Sequence, residues 1–272
     1  MNYREKAIKH LEEYRLKRIS ELGNEKGEYR KKHYFHILPK KDADKIIINK
    51  GYQNEILSLL KSDHTKRHYG FANLISSQAM AFNLFAPLCV EKALSIVIPH
   101  IQNQAQNDVF EYQFEKKEED SSEIDFYVKS GNKKIYFEVK FTEKTIATKS
   151  HSQHNDERWN QYYKDPMNII LKDERMSHAK DIFFSKYQLW RNIRMVSDPD
   201  SFVYFVFPRL RDDLEAEVKE AKQKLLHPDF ADKVKVLYVE DVCSTVLSVF
   251  LDNCKLKEHY IEFQEKYING ID

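Results

Sequence analysis

The chain has 272 residues, 42% of them apolar and 32% charged, with 44 Lys and Arg against 43 Asp and Glu. That is enough apolar material for a real core, while the near-zero net charge gives no argument for nucleic acid, so any basic surface must be local. Cys89, Cys243 and Cys254 form neither a metal spacing nor a disulfide framework. With a charged start and no run of ~18 uncharged apolar residues, a soluble, cytoplasmic chain without a membrane partner is expected.

Residues 3–22 read as a charged, mildly amphipathic helix stopped by Gly23. Residues 24–52 are irregular and basic, and 53–62 form a short helix. Phe71–Phe85 reads as a helix ended by Pro87, with uncharged Asn73, Ser76, Ser77, Gln78 and Asn83 on its polar side. Another helix is expected over Leu88–Ile98, and strands over Val109–Phe114, Ile124–Lys129 and Lys134–Phe141. Residues 142–180 are polar and aromatic. Ile182–Val196 is a strong helix, Phe202–Phe207 a buried central strand, Arg211–Leu226 a charged helix and Val234–Val239 a last strand before terminal helices. The residues divide on this reading into an N-terminal helical extension, 1–65, and a domain over 66–272 with its core at about 70–208. Three consecutive strands before a helical crossover imply a mixed central β-sheet flanked by helices, an α/β (α+β) fold of order α-β-β-β-α-β with helical additions at both ends.

The densest chemistry lies between Glu123 and Lys140. Two alternating runs meet at Gly131-Asn132, a two-residue loop suited to a tight hairpin. If Ser130 and Lys133 flank that loop, Asp125 faces Glu138 and Glu123 faces Lys140. Ile124, Phe126, Val128, Ile135, Phe137 and Val139 then share the opposite, wholly apolar face, and a slip by one residue would mix the two. Like charges opposed across a sheet are destabilising, so the Asp125–Glu138 pair makes most sense around a divalent cation; a solvent-exposed polar face is the other reading. Two further E-x-K triplets mark how little those letters mean alone. Glu217-Val218-Lys219 reads as a solvated helix face, and Glu115-Lys116-Lys117 as part of an acidic loop. Asp125, Glu138 and the Val139 backbone carbonyl offer the oxygen ligands that Mg²⁺, or alternatively Mn²⁺, prefers. Lys140 could orient or activate a water and stabilise developing negative charge, with Glu123 tuning it.

The Asp125…Glu138-x-Lys140 signature and the strand order resemble the PD-(D/E)XK nuclease superfamily. The segments S-S-Q-A-M-A-F-N-L-F-A-P-L (76–88), E-V-K-F-T-E (138–143) and Y-Q-L-W-R-N (187–192) resemble one bacterial branch of restriction endonuclease-like proteins. That resemblance implies a restriction-endonuclease-like core, with Asp125 and Glu138 as metal ligands and Lys140 as the catalytic lysine. It implies an Mg²⁺-dependent endodeoxyribonuclease, with DNA as partner and a homodimer if both strands are cut. The alternatives are a repair or recombination nuclease on branched or single-stranded DNA, and a DNA-binding module that does not cleave. Many superfamily members carry an acidic residue on the helix before the sheet; here that helix offers Gln78 and Asn83. Gln78 either lines the site or, with Ser77 and Asn83, caps and bridges buried helices. Gln188, Arg191 and Asn192 fall at i, i+3 and i+4, on one side of a helix, facing either the site and a DNA phosphate or an interhelical network. Residues 129–194 hold 14 Lys/Arg and 8 Asp/Glu, a local basic excess. His151-x-x-His154, His33 and His36 lack further ligands nearby and read as loop residues, and Trp159, Tyr162 and Tyr163 as packing.

Overall fold

In chain order the computed structural model has helix α1 (Tyr3–Lys17), a short hairpin of β1 (Gly27–Tyr29) and β2 (Lys32–Tyr34), α2 (Gln53–Leu60) and α3 (Ser77–Val90). There follow β3 (Glu111–Lys117), β4 (Glu123–Ser130), β5 (Lys133–Val139), α4 (Lys164–Ile170), α5 (Ala179–Ser185), α6 (Tyr187–Ile193) and β6 (Ser201–Phe207). The chain continues through α7 (Asp212–Glu220), β7 (Val234–Tyr238), α8 (Val239–Val249) and α9 (Cys254–Tyr267). The residues described are 1–48, 51–61, 67–104, 107–146, 156–250 and 252–271; His151 and His154 lie outside them. Two compact units result: residues 1–109, 208–210 and 238–272, and residues 110–207 with 211–237.

The second unit is built on a five-stranded mixed sheet of order β3-β4-β5-β6-β7. The expected hairpin register holds, with Ser130 opposite Lys133 and Phe126 opposite Phe137. Gly131 adopts φ +61°, as a tight two-residue connection requires. Strands β5 and β6 run parallel, with Val139 beside Val206, which is why a helical crossover must separate them. The F-V-Y-F-V-F run forms β6, flanked on both sides, and all of it except Phe202 is buried. One aromatic seam runs across the strands, Phe114 to Phe126 to Phe137 to Tyr204, with centroid spacings of 4.7, 5.1 and 5.3 Å.

The expected helix over 182–196 is two helices. Lys186 leaves the helical region at φ −136°, ψ 56°, where its ammonium reaches Glu220 at 2.6 Å. Phe183 and Tyr187 pack edge to face across the break while Tyr163 stacks on Phe183 at 4.3 Å. The break frees α6 to take its own direction.

In the first unit α3 begins six residues later than expected, because Ser76 caps it through the Ala79 N–H at 3.2 Å. It also runs through Pro87 instead of stopping before it, and no separate helix covers 88–98 beyond a 3₁₀ turn at Leu94–Ile96. Pro87 cannot donate to the Asn83 carbonyl four residues back; His259 Nε2 bonds that carbonyl at 2.7 Å instead. The uncharged polar side of this helix is explained by burial. Asn83 accepts from the Ile48 N–H at 2.9 Å and donates to Ala79 O and to the Tyr267 hydroxyl, the bridging role. Residues 1–65 share this unit with the C-terminal helices, Tyr14 donating to Glu262 at 3.0 Å.

Candidate active site

On β5 the polar face of the β4–β5 hairpin is buried toward its end and is not a solvent face there. Glu138 is 2% exposed, Lys140 7% and Tyr136 8%. The paired ladder stops at Phe126–Phe137, one step before the two carboxylates would stand opposed. Beyond it the Val139 N–H donates to Asp125 Oδ2 at 2.7 Å, so a side chain takes the place of a ladder carbonyl. On the other side of Asp125, the β3–β4 ladder likewise omits one pair. Phe114 stands opposite Phe126 and Lys116 opposite Ile124, which puts Glu115 across from Asp125 at φ +53°. Glu115, Asp125 and Glu138 thus occupy one row across three strands, and backbone pairing is interrupted on both sides of its centre. Glu115 is 3% exposed. It belongs to a strand and to this row, not to the acidic loop the sequence suggested.

The row is countered from two sides. Lys140 Nζ lies 2.7 Å from Glu138 Oε1. From α6, Gln188 Nε2 donates to Glu138 Oε1 at 2.7 Å and Asn192 Nδ2 to Oε2 at 2.8 Å, while Arg191 stands 3.6 Å from Oε2. All three residues that share a side of that helix therefore converge on one carboxylate. Arg191 also donates to the Glu123 carbonyl at 3.2 Å, tying α6 to β4.

The electrostatics follow from this placement. Burial, and then the neighbouring Glu138 carboxylate, push Asp125 well above the usual carboxyl range, with Glu115 adding to the push. For Glu138 burial works the same way, but Lys140 and Arg191 outweigh it and hold the group below its ordinary value. Burial works against the Lys140 ammonium, yet Glu138, Glu143 and Asp125 raise it above the ordinary lysine value. Lys140 is therefore a fixed positive charge at neutral pH.

The expected pairing of Glu123 with Lys140 does not form. Among the described residues no ion pair joins them, because the strands have parted and the Lys140 N–H bonds Val206 O at 2.8 Å, on the next strand over. The Glu123 carboxylate instead comes within 4.8 Å of that of Glu115. Gln78 belongs to the other unit, where its carboxamide oxygen accepts the His68 N–H at 3.0 Å.

Helix α7 fixes the segment that leaves the site. Glu217 is not a solvated residue: it accepts from Thr145 Oγ1 at 2.6 Å and from the Ile146 N–H at 3.0 Å. Arg211, 2% exposed, donates to the carbonyls of Phe141 and Glu143. Glu143 in turn accepts the Phe141 N–H at 2.7 Å. No sequence pattern marks these contacts, since each depends on a tertiary approach of distant residues.

A helix-flanked five-stranded mixed sheet, with carboxylates and a lysine gathered where β4 and β5 part, is an α+β fold of the restriction-endonuclease-like class. Residues 8–268 match the family model described as restriction endonuclease associating with ARP. The chain belongs to that family, and so to the restriction-endonuclease type of nuclease. No curated protein and no solved structure matches the chain. Among the described residues no helix is long and apolar enough to cross a membrane.

Proposed function

We propose that the protein is a divalent-metal-dependent DNA endonuclease of the PD-(D/E)XK type that hydrolyses phosphodiester bonds, with Asp125, Glu138 and Lys140 as its catalytic set. The observation that carries this reading is the carboxylate row. A fold gains nothing from lining up three acids, two of them buried and one half-buried, since like charges opposed on a sheet destabilise it. The donor set is all oxygen, the chemistry of Mg²⁺ or Mn²⁺. Asp125 is driven upward by burial and then by its acidic neighbours, and a dication there would relieve that repulsion. Asp125, Glu138 and the Val139 carbonyl would hold the ion, with Glu115 beside Asp125 as a further acid. When bound, the ion supplies a water of lowered pKa and positive charge against the phosphate.

The remaining roles belong to the chain itself. Gln188 and Asn192 fix the rotamer of Glu138, so the carboxylate is in place before substrate arrives. Lys140 stays protonated and therefore acts by charge, stabilising the negative charge that develops on the phosphoryl oxygens. Arg191 adds a second cation on the same side.

The test is nicking and linearisation of plasmid DNA with Mg²⁺, with and without chelator. Cleavage by the wild type, abolished by chelator and by Asp125→Ala, is expected. Intact DNA that is nonetheless shifted on a gel would replace the enzyme reading with a binding module on the same fold.

A further inference from the structure

The first unit carries a second feature that the carboxylate row does not use. The β1–β2 hairpin turns through Arg30 and Lys31, at φ +51° and +64°. Relaxed turns of this kind use Asn-Gly, because side chains rarely adopt positive φ. Here the chain puts two cations there and follows them with Lys32, all three exposed. The hairpin is held rigidly at its base. Arg15, buried within α1, donates to the carbonyls of Gly23 at 2.9 Å, Glu25 at 2.8 Å and Ile37 at 3.1 Å, and also to Phe35 O. Gly27 approaches so closely that a Cβ would stand 2.4 Å from the Leu38 carbonyl oxygen.

Beside the hairpin lies a groove of about 800 Å³. Its mouth carries aromatic rings: Tyr29 and Tyr69 are 5.7 Å apart, and Tyr69 is 82% exposed. Lys26 and Lys40 line it. Of its acids, Glu25 is bound by Lys41 at 2.7 Å, which leaves Glu28. Arg67, stacked over Phe71 at 5.3 Å, shares its charge with Asp44. An exposed ring set among cations is the arrangement that takes a nucleobase between two phosphates.

We propose that this hairpin and groove form a DNA-strand contact in which Arg30, Lys31 and Lys32 grip phosphates and Tyr69 stacks on an unstacked base. The proposal rests on the nuclease reading for its ligand, but on a different set of residues. It is tested in the full chain carrying Asp125→Ala, so that DNA stays intact, by fluorescence anisotropy with fluorescein-labelled single-stranded and duplex oligonucleotides over a salt series. Replacing Arg30, Lys31 and Lys32 together by Ala should weaken binding at low salt at least about ten-fold, and should flatten the salt dependence by roughly two to three phosphates. Tyr69→Ala should weaken single-strand binding about ten-fold with an unchanged salt slope. Lys31→Gly separates binding from folding, because it relaxes the turn. It should raise thermal stability while still lowering affinity. Parent-like affinity and slope in all variants overturn the proposal, as does a parent that binds no DNA. If the Asp125-intact chain never cleaves but the hairpin variants still bind less tightly, the catalytic reading fails and this contact stands. If the intact chain cleaves and the hairpin variants bind and cleave as it does, this contact alone fails.

Discussion

Replacing Lys140 by Met isolates the electrostatic logic of the carboxylate row. The two side chains are similar in size, so the change removes charge more than volume. Lys140 Nζ and Glu138 Oε1 are 2.7 Å apart, with side-chain exposures of 8% and 2%. Removing one partner of such a pair costs about 3–5 kcal/mol. Arg191 at 3.6 Å and the amides of Gln188 and Asn192 remain on Glu138, which puts the loss near the lower end, about 3 kcal/mol. The pH dependence gives the sharper test. In the wild type Glu138 is held below its ordinary 4.5, so its contribution is complete above that pH and is lost only as the pH falls through the lower folded value. Asp125 lies above its ordinary 3.8, so its contribution is favourable in acid and is lost as the pH rises through the raised value. Without Lys140 both carboxyls move up. The deficit of Lys140→Met should therefore be largest at neutral pH and shrink as the pH falls, first through the raised Asp125 value and then through the Glu138 value below 4.5. Urea unfolding followed by tryptophan fluorescence reads this directly, because Trp159 and Trp190 are both buried in the sheet unit and the signal reports that unit alone. A deficit that is flat from neutral to acid pH, or smaller than about 1 kcal/mol, would refute the reasoning.

Asp125→Asn keeps an acceptor for the Val139 N–H while removing the central charge of the row; it should abolish Mg²⁺-dependent cleavage and yet raise the metal-free stability of the sheet unit by roughly 1 kcal/mol in urea titrations. Asn192→Leu strips one charge-assisted bond from Glu138; a loss of about 2 kcal/mol is expected, with cleavage reduced more in kcat than in KM, and equal effects on both would argue against a positioning role. Glu217→Ala releases Thr145 and Ile146; limited proteolysis should begin to cut at 142–146, with a stability cost of about 1–2 kcal/mol. Arg15→Met leaves several carbonyls around the β1–β2 hairpin without their donor; hydrogen exchange at residues 27–34 should accelerate, and the loss should reach about 3 kcal/mol, whereas wild-type protection factors would show that water replaces the guanidinium without penalty.

The hairpin register was legible because two independent constraints agree. Gly131 allowed only a tight turn, and strict alternation left one register that kept the apolar face whole. The central strand was legible from its uninterrupted apolar run. Helix limits were less so. The sequence put a stop before Pro87, because nothing in residues 71–99 shows that His259, 172 residues further on, will bond the carbonyl Pro87 leaves open. Lys186 carries no breaker signal either; the interruption there follows from the packing of Phe183 and Tyr187 and the reach of the lysine to Glu220.

The site shows the same division between what strand geometry dictates and what packing decides. Asp125, Glu138 and Lys140 follow from period-two alternation around a known turn, and the spacing of Gln188, Arg191 and Asn192 put them on one helix face without naming their target. Glu115 was hidden by its setting, an acidic stretch with the look of a loop, and by a positive φ that strand residues seldom adopt. That backbone departure has a physical sense. A regular β3–β4 ladder would bring Glu115 squarely against Asp125, and a regular β4–β5 ladder would do the same with Glu138. The β3–β4 ladder gives up its pairing at the level where three acids meet and resumes beyond it, whereas the β4–β5 ladder ends just before that level. Glu123 and Lys140 fall beyond that level, so counting residues from the turn could not pair them. The interruption that defeats the count also turns the Asp125 carboxylate to the Val139 N–H, in the place of a ladder carbonyl.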